Sequence, residues 1–173
     1  MKKIFVFVFI VFYSNFGYAD NIAYLDVQYI IDNSLIGKHY KDKIKIVQED
    51  NKSILQDKED KIKAKEVEIK NQKNILSKDQ IDKKVLDLNK SLKDYQLKRN
   101  ELNKEVLELK KNYTGKILSL LNPLLTSYVE KNKILLVIEK KNILVGIKSL
   151  DITTNIIKSL NDETNKKKLL NEN

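Results

Sequence analysis

A heptad repeat of apolar residues over positions 81–113 constrains the fold more than any other feature of the chain. Apolar side chains recur at steps of three and four, and only Arg99 replaces one of them with a charge. The a and d positions of the repeat are Ile81, Val85, Leu88, Leu92, Tyr95, Arg99, Leu102, Val106, Leu109 and Tyr113. This pattern is typical of an amphipathic helix whose narrow apolar stripe is buried against a second helix.

Residues 36–76 supply the predicted partner helix. Their apolar residues also have helical spacing, although Asn51 and Lys58 interrupt the stripe. Neither proline nor glycine occurs between residues 38 and 114, so the strongest helix-breaking residues are missing from both segments. Each segment of about 40 residues would be roughly 60 Å long at the rise of an α-helix.

A helix start signal separates the two segments. Ser77 and Gln80 have the spacing of a capping box, and Leu76 and Ile81 fit the hydrophobic staple around it. We therefore predict an antiparallel helical hairpin over residues 36–131. The alternative interpretation is one continuous helix that contains a serine.

Residues 1–19 have the organisation of a secretory signal peptide. Two lysines precede an uninterrupted apolar run over residues 4–13, and small residues stand at the cleavage positions before Asp20. The alternative is an uncleaved membrane anchor, but this run is shorter than the roughly 20 residues that a transmembrane helix needs. The chain contains no cysteine, which disfavours a lipoprotein anchor. A periplasmic location is the expectation.

Three short strands and two small helices are predicted at the two ends of the mature chain. Strands are expected at 21–27, 134–139 and 143–147, with a two-residue turn at Lys141 and Asn142 between the last two. One or two helical turns should cover 28–33, with Gly37 marking a C-cap-like joint, and a second helix should begin at Asp151 as its N-cap. A frayed tail is expected over 162–173.

The predicted fold class is α+β and mostly α, with a long hairpin arm (36–131) on a small β-rich body (20–35 and 132–161). Three strands barely form a stable sheet, and the apolar run at 134–139 requires burial on both faces. We therefore expect several copies to associate through this body. The candidate oligomerisation residues are Ile22, Tyr24, Leu135, Leu136, Val137, Ile138 and Leu144.

Positive charge is concentrated on the arm. The net charge of +9 includes two lysines of the predicted signal peptide; residues 36–131 hold 23 basic and 16 acidic residues, and the rest of the mature chain holds eight of each. This segregation favours an anionic partner, although a solvated helix surface is the alternative. The candidate partner-facing residues are Tyr40, Tyr95, Tyr113, Lys83, Lys84, Lys90, Lys93 and Arg99. The three tyrosines lie on the apolar stripes, so a core role fits them as well.

Residues that carry catalysis or bind metals are scarce. His39 is the only histidine and is interpreted as a surface residue of the arm, and without cysteine no zinc site or nucleophile–base pair is expected. No glycine-rich phosphate loop is present. We predict no enzyme activity and no cofactor. The positive charge would permit nucleic-acid binding, but a signal peptide argues against it.

The order of these elements resembles the Skp/OmpH family of periplasmic chaperones. The resemblance lies in IAYLDVQYII at 22–31, SLIGK at 34–38, LSKDQ at 76–80 and LLVIEKKNILVGIKSLDITTNIIKSLN at 135–161. Two departures lie in the body: Asn132 and Lys133 stand where the family often has glycine, and Gly146 stands where a bulky residue is common.

This resemblance implies a homotrimer whose three hairpins enclose a cavity. It implies a holdase that keeps unfolded outer-membrane proteins soluble in the periplasm without ATP. Contact with anionic lipid or lipopolysaccharide is also known in the family, but those contact residues have no individual match here. The competing hypothesis is a structural coiled-coil spacer or adaptor of the cell envelope. A spacer should have a regular seam in both helices of the hairpin, whereas the first helix here is irregular.

Overall fold

The computed structural model describes residues 22–171, which form a two-helix arm on a small body. The elements in chain order are β1 (Ile22–Leu25), α1 (Val27–Asn33), α2 (Leu35–Gln72), α3 (Lys78–Lys131), β2 (Leu136–Glu139) and α4 (Thr153–Lys166). Short 3-10 turns lie at Lys140–Asn142, Lys148–Leu150 and Leu169–Asn171. The predicted fold class, mostly α with a long hairpin and a small sheet, is confirmed. The predicted signal peptide lies outside the described residues.

Helices α2 and α3 form the hairpin arm, and the sequence signal at its tip is confirmed. The Ser77 Oγ accepts a hydrogen bond from the Gln80 backbone N–H, and the Gln80 side chain accepts one from the Ser77 backbone N–H at 3.0 Å. The 38 residues of α2 correspond to about 57 Å, and the 54 residues of α3 to about 81 Å. The additional turns of α3 at its C-terminal end return the chain to the body.

The joint between α1 and α2 is Ser34, not Gly37 as the sequence suggested. Ser34 is fully buried and serves as the C-cap of α1 and the N-cap of α2, with its Oγ accepting from the Gly37 N–H. Gly37 lies within the first turn of α2, where a Cβ would be only 1.7 Å from the carbonyl oxygen of Ile31. Glycine is therefore needed here because α1 and α2 approach each other closely, not because the helix ends.

The hydrophobic core lies in the body, where α1, the start of α2, the end of α3 and α4 meet. Ile30, Ile36, Ile156 and Leu160 are fully buried, and Ile117 of α3 is 2% exposed. Leu35 also donates its backbone N–H to the Asn161 side chain of α4 at 2.7 Å. The first turn of the arm is therefore held by the body, and the arm extends from it as a continuation of two core helices.

The sheet differs from the prediction. β1 and β2 pair in parallel, with Ile22 opposite Leu136, and a single bridge joins Tyr24 to Asp151 on the other side of β1. The expected returning strand at 143–147 is not formed, and a 3-10 turn replaces the predicted two-residue turn. The helical hairpin connects β1 to β2 and returns the chain to the body, where β2 pairs with β1 in the same direction. This pairing replaces the predicted β-hairpin.

The structure shows the backbone conformation and the contacts at both departures from the family pattern. Lys133 adopts a left-handed conformation with φ 54° just after the C-cap of α3, which is where glycine is favoured. Gly146 passes over the ring of Tyr24, and a Cβ there would lie 2.8 Å from the ring. The Tyr24 hydroxyl donates to the Ile147 carbonyl oxygen at 3.3 Å, so the loop after β2 closes over this ring.

The C-terminal helix begins slightly later and continues further than predicted. Its N-cap is Ile152, while the Asp151 carboxylate accepts from the backbone N–H and hydroxyl of Thr153. Burial raises the pKa of Asp151, but the bonds from Thr153 and Lys140 outweigh it and hold the pKa below its ordinary value. Helix α4 then runs to Lys166, and Thr164 is fully buried. The predicted frayed tail is therefore wrong for 162–166, because this part of the helix packs on the body.

Candidate binding surface of the arm

The seam between α2 and α3 changes from apolar to polar along the arm. Near the body, Tyr40 and Tyr113 stack with ring centroids 4.1 Å apart and an interplanar angle of 2°. Further out, Leu102 and Ile62 are the buried residues of α3 and α2. Six polar residues of the two helices are also half-buried, namely Asn51, Lys58, Lys65, Lys84, Ser91 and Lys98. The arm therefore has less apolar packing per turn towards its tip.

The position of Arg99 corrects the predicted heptad register. Arg99 is exposed, and the half-buried residue at that turn is Lys98, which pairs with Glu101 at 2.9 Å. From Leu102 towards the tip, the more buried residues alternate steps of four and three through Lys98, Tyr95, Ser91, Leu88, Lys84 and Ile81, which are the d and g positions of the repeat. Two successive steps of four, from Lys98 to Leu102 and from Leu102 to Val106, shift the stripe from the g to the a positions. The buried stripe therefore includes the a positions only from Val106 towards the body.

Ion pairs replace apolar contacts between the helices of the outer arm. The Lys65 ammonium donates to the Asp87 carboxylate at 2.6 Å and to the Ser91 hydroxyl at 2.8 Å, and Lys84 donates to Glu68 at 2.6 Å. The hydrogen bond and charge of Lys84 lower the pKa of Glu68, and those of Lys65 lower the pKa of Asp87. These pairs connect α2 to α3 where Leu102 and Ile62 no longer do.

The predicted partner-facing residues divide into two groups. Tyr40, Tyr95 and Tyr113 are half-buried on the seam, and Lys84 is engaged in an ion pair. The remaining candidates are exposed, namely Lys83, Lys90, Lys93 and Arg99. His39 is half-buried beside Tyr40, at 5.8 Å between ring centroids, so its interpretation as a surface residue is wrong.

Exposed apolar side chains away from the seam were missed by the sequence reasoning. Besides Ile75 at the tip, six large ones lie on the two helices of the arm, at Ile46, Ile54, Val67, Leu86, Leu97 and Leu107, with exposures from 41% to 72%. Their signal was present, because the three leucines of α3 fall outside the a and d positions of the repeat. Scattered exposed apolar residues are normal on proteins, but here they line both helices of an arm that needs none of them for pairing.

A second exposed apolar patch lies on the body. Leu135 and Leu136 are 72% and 52% exposed, and Leu144 is fully exposed. Of the other predicted oligomerisation residues, Ile22 is exposed, Val137 and Ile138 are half-buried, and Tyr24 is buried within the single chain. Val145 and Ile147 extend the patch, with exposures of 91% and 66%. We call this set, from Leu135, Leu136 and Ile22 to the loop residues 144–147, the body patch.

Two grooves of different charge flank the seam at the base of the arm. On one side, cavities of about 520 and 720 Å³ share Gln48 and Lys110 and so form one continuous groove. On the other side, a cavity of about 500 Å³ is lined by Lys43, Glu105 and Glu108. We call the first, which contains Lys41, Lys52 and Lys110, the lysine groove. We call the second the glutamate groove.

Neither a metal site nor a membrane-spanning helix is found within residues 22–171. No group of three or more histidine, cysteine, aspartate or glutamate side chains in this range is arranged to hold a metal ion. The helices in the same range are too polar or too short in their apolar stretches to cross a bilayer.

Comparison with known families identifies the fold. The model of the family described as "Outer membrane protein (OmpH-like)" matches residues 21–160. The chain belongs to the OmpH-like family. The crystal structure of an OmpH-like protein of Caulobacter crescentus, described as an outer membrane chaperone, matches with a TM-score of 0.74 and 15% sequence identity. The match covers 83% of this chain and 85% of that one. A search of curated protein sequences finds no significant match.

Proposed function

We propose that this OmpH-like protein is an ATP-independent holdase of the periplasm that keeps unfolded outer-membrane proteins from aggregating. The observation that carries the proposal is the set of six exposed apolar side chains on the two helices of a basic arm. An unfolded polypeptide exposes scattered apolar groups, so it can make many weak contacts with such a surface. Family membership supports the same proposal, as does the description of the similar Caulobacter protein as an outer membrane chaperone.

The body patch supports self-association, and the resemblance to the Skp/OmpH family implies a homotrimer as the working form. A single chain leaves Leu136, Leu144 and Val145 more than half exposed, and the outer edge of β2 pairs with no strand among residues 22–171. Exposed apolar edges of this kind are pairing sites for another chain. Association through the body would leave the arms free and place them around a shared space. In this proposal the body (20–35 and 132–161) assembles the trimer and the arm (36–131) contacts the client.

The proposed client contacts combine apolar side chains with collective electrostatics. Lys83, Lys90 and Lys93 are exposed and can steer an acidic chain, whereas Lys84 holds Glu68 and serves the arm itself. Exposed charges attract partners mainly in the encounter step and are screened by salt. Tyr40, Tyr95 and Tyr113 are needed first for pairing of α2 with α3, so their client role is limited to exposed edges of the rings.

The test is aggregation of a urea-unfolded outer-membrane β-barrel on dilution, followed by light scattering without ATP. The protein lacking residues 1–19 should suppress scattering in proportion to its concentration. Scattering equal to that with an inert protein of similar charge would contradict the proposal and leave the spacer function. Sedimentation of the same sample measures the oligomeric state. Stopped-flow capture at low and high salt then tests steering, and a rate that is independent of salt would leave only apolar contacts.

A further inference from the structure

The two grooves at the base of the arm lie on opposite sides of the seam and differ in chemistry. The seam of α2 passes through Tyr40, Val47 and Asn51. The residues one position later, Lys41, Gln48 and Lys52, line the lysine groove, and Ile46, one position before Val47, lines the glutamate groove. In α3, Leu107 and Lys110 likewise lie on the first side, and Glu105 and Glu108 on the second. The hairpin therefore presents one basic and one acidic flank to its surroundings.

The lysine groove has an apolar floor and unpaired cations. Its floor is formed by Ile31, Ile44, Leu55, Val106, Leu107 and the stacked tyrosines. Lys41, Lys52 and Lys110 line it and make no ion pair within 4 Å among residues 22–171. Of its acids, Glu59 pairs with Lys63, whereas Asp32 and Asp42 make no ion pair within the described residues. The unpaired lysines of this flank outnumber its unpaired carboxylates by three to two, so its free charge is positive.

We infer that the lysine groove binds an extended segment of an unfolded polypeptide that combines apolar and acidic side chains. This inference rests on the proposed holdase function and assigns its client contact to one flank of the arm. The groove follows α2 from Tyr40 to Glu59, which is about 29 Å at helical rise. An extended chain of roughly nine residues spans that length. Alternate side chains of such a segment would face the apolar floor, and its carboxylates would meet the three lysines.

The glutamate groove serves as an internal comparison. It has a similar apolar lining with Ile46 and Val47, but Glu105 and Glu108 form no ion pair within the described part of the chain. These two carboxylates outnumber Lys43 in the lining, so the groove disfavours an acidic segment. The structure thus offers a matched pair of exposed apolar residues, Leu107 on the lysine flank at 65% exposure and Ile46 on the glutamate flank at 59%.

The experiment measures binding of a fluorescently labelled peptide of about nine residues. The peptide contains leucines and glutamates separated by glycine and serine. The protein lacking residues 1–19 should bind this peptide more tightly than it binds a second peptide in which lysine replaces glutamate. Replacing Lys41, Lys52 and Lys110 together with glutamine should weaken binding roughly tenfold, from about a twofold loss at each of three exposed ion pairs. The control replaces Lys70, Lys104 and Lys111, which carry the same charge outside both grooves.

The two apolar variants give a second readout that does not depend on charge. Leu107→Gln should weaken peptide binding, and Ile46→Gln should leave it unchanged, with circular dichroism showing equal helicity for both. Equal losses in the two apolar variants, or in the two triple variants, would overturn the lysine groove as the site. If aggregation suppression by the wild type persists in that case, the holdase function stands and only the assignment fails. Absence of any suppression by the wild type would instead overturn the function.

Discussion

Replacing Gly37 with alanine tests whether the close approach of α1 and α2 fixes the arm to the body. The new methyl carbon would lie 1.7 Å from the Ile31 carbonyl oxygen and 2.9 Å from the Ser34 Oγ, whereas an ordinary contact is 3.4 to 4 Å. The obstacle is backbone, so rotation of a side chain cannot relieve it. Helix α1 would have to move away from α2 by well over an ångström, and both carry fully buried core residues, Ile30 and Ile36.

The magnitude follows from two opposing effects. Overpacking a tight site costs about 1–3 kcal/mol, and a backbone obstacle places this case near the upper end. A gap of about 1 Å between core surfaces also reduces the dispersion energy of each contact by up to about half. Alanine gains about 1 kcal/mol over glycine in a helix. We expect Gly37→Ala to lower the free energy of unfolding by about 2 kcal/mol.

Gly115 in α3 provides the matched control. A Cβ at Gly115 would meet no heavy atom within 4 Å, so Gly115→Ala should be stabilising by about 1 kcal/mol from helix propensity. The two variants should therefore differ by about 3 kcal/mol in urea unfolding followed by circular dichroism. Protein concentration must be equal in all samples, since oligomerisation shifts apparent stability. A Gly37→Ala variant as stable as Gly115→Ala would refute this account of the joint.

Three further predictions concern the seam, the body patch and the tip of the arm. Lys98→Leu should raise the thermal midpoint because it adds apolar contact at the seam, whereas Arg99→Leu should change stability by less than about 0.5 kcal/mol; the reverse order would restore the heptad register. Leu144→Asp should give folded monomers in sedimentation, because Leu144 is fully exposed in a single chain; an intact oligomer would exclude this residue from the interface. The lowered pKa values of Glu68 and Asp87 mean that their ion pairs stabilise the folded arm above the ordinary values of 4.5 and 3.8, and that this contribution is lost as pH falls through the lower folded values; hydrogen exchange at the tip should accelerate over that acid range, and a Glu68→Gln/Asp87→Asn double variant should lose this dependence.

The arm could be predicted from the sequence because its determinants are local. Ser77 and Gln80 lie three residues apart, and their capping bonds depend only on the turn that they start. The register of the seam was less predictable, since a single heptad count does not include the two successive four-residue steps from Lys98 to Leu102 and from Leu102 to Val106. Lys98, half-buried in place of Arg99, shows the resulting shift of one position.

The sheet could not be predicted because its determinants are distant. The run over 134–139 indicates a strand, but its composition does not specify a partner or a direction. The partner of Val137 is Ala23, which is brought to it only after the whole hairpin has formed. Gly146 likewise has no local reason to be glycine, and its contact with Tyr24 joins positions separated by the same hairpin. The grooves required the structure too, because their sides are set by how α2 and α3 face each other.

Photo-crosslinking during capture of an unfolded barrel protein tests the holdase account most directly. A photoreactive residue is placed singly at Leu107 on the lysine flank, at Ile46 on the glutamate flank, or at Lys158, which is exposed on α4 of the body. The account predicts strong crosslinks to the client from position 107, weaker ones from position 46 and background levels from position 158. Crosslinks that are strongest from position 158, or equal at all three positions, would contradict capture by the arm.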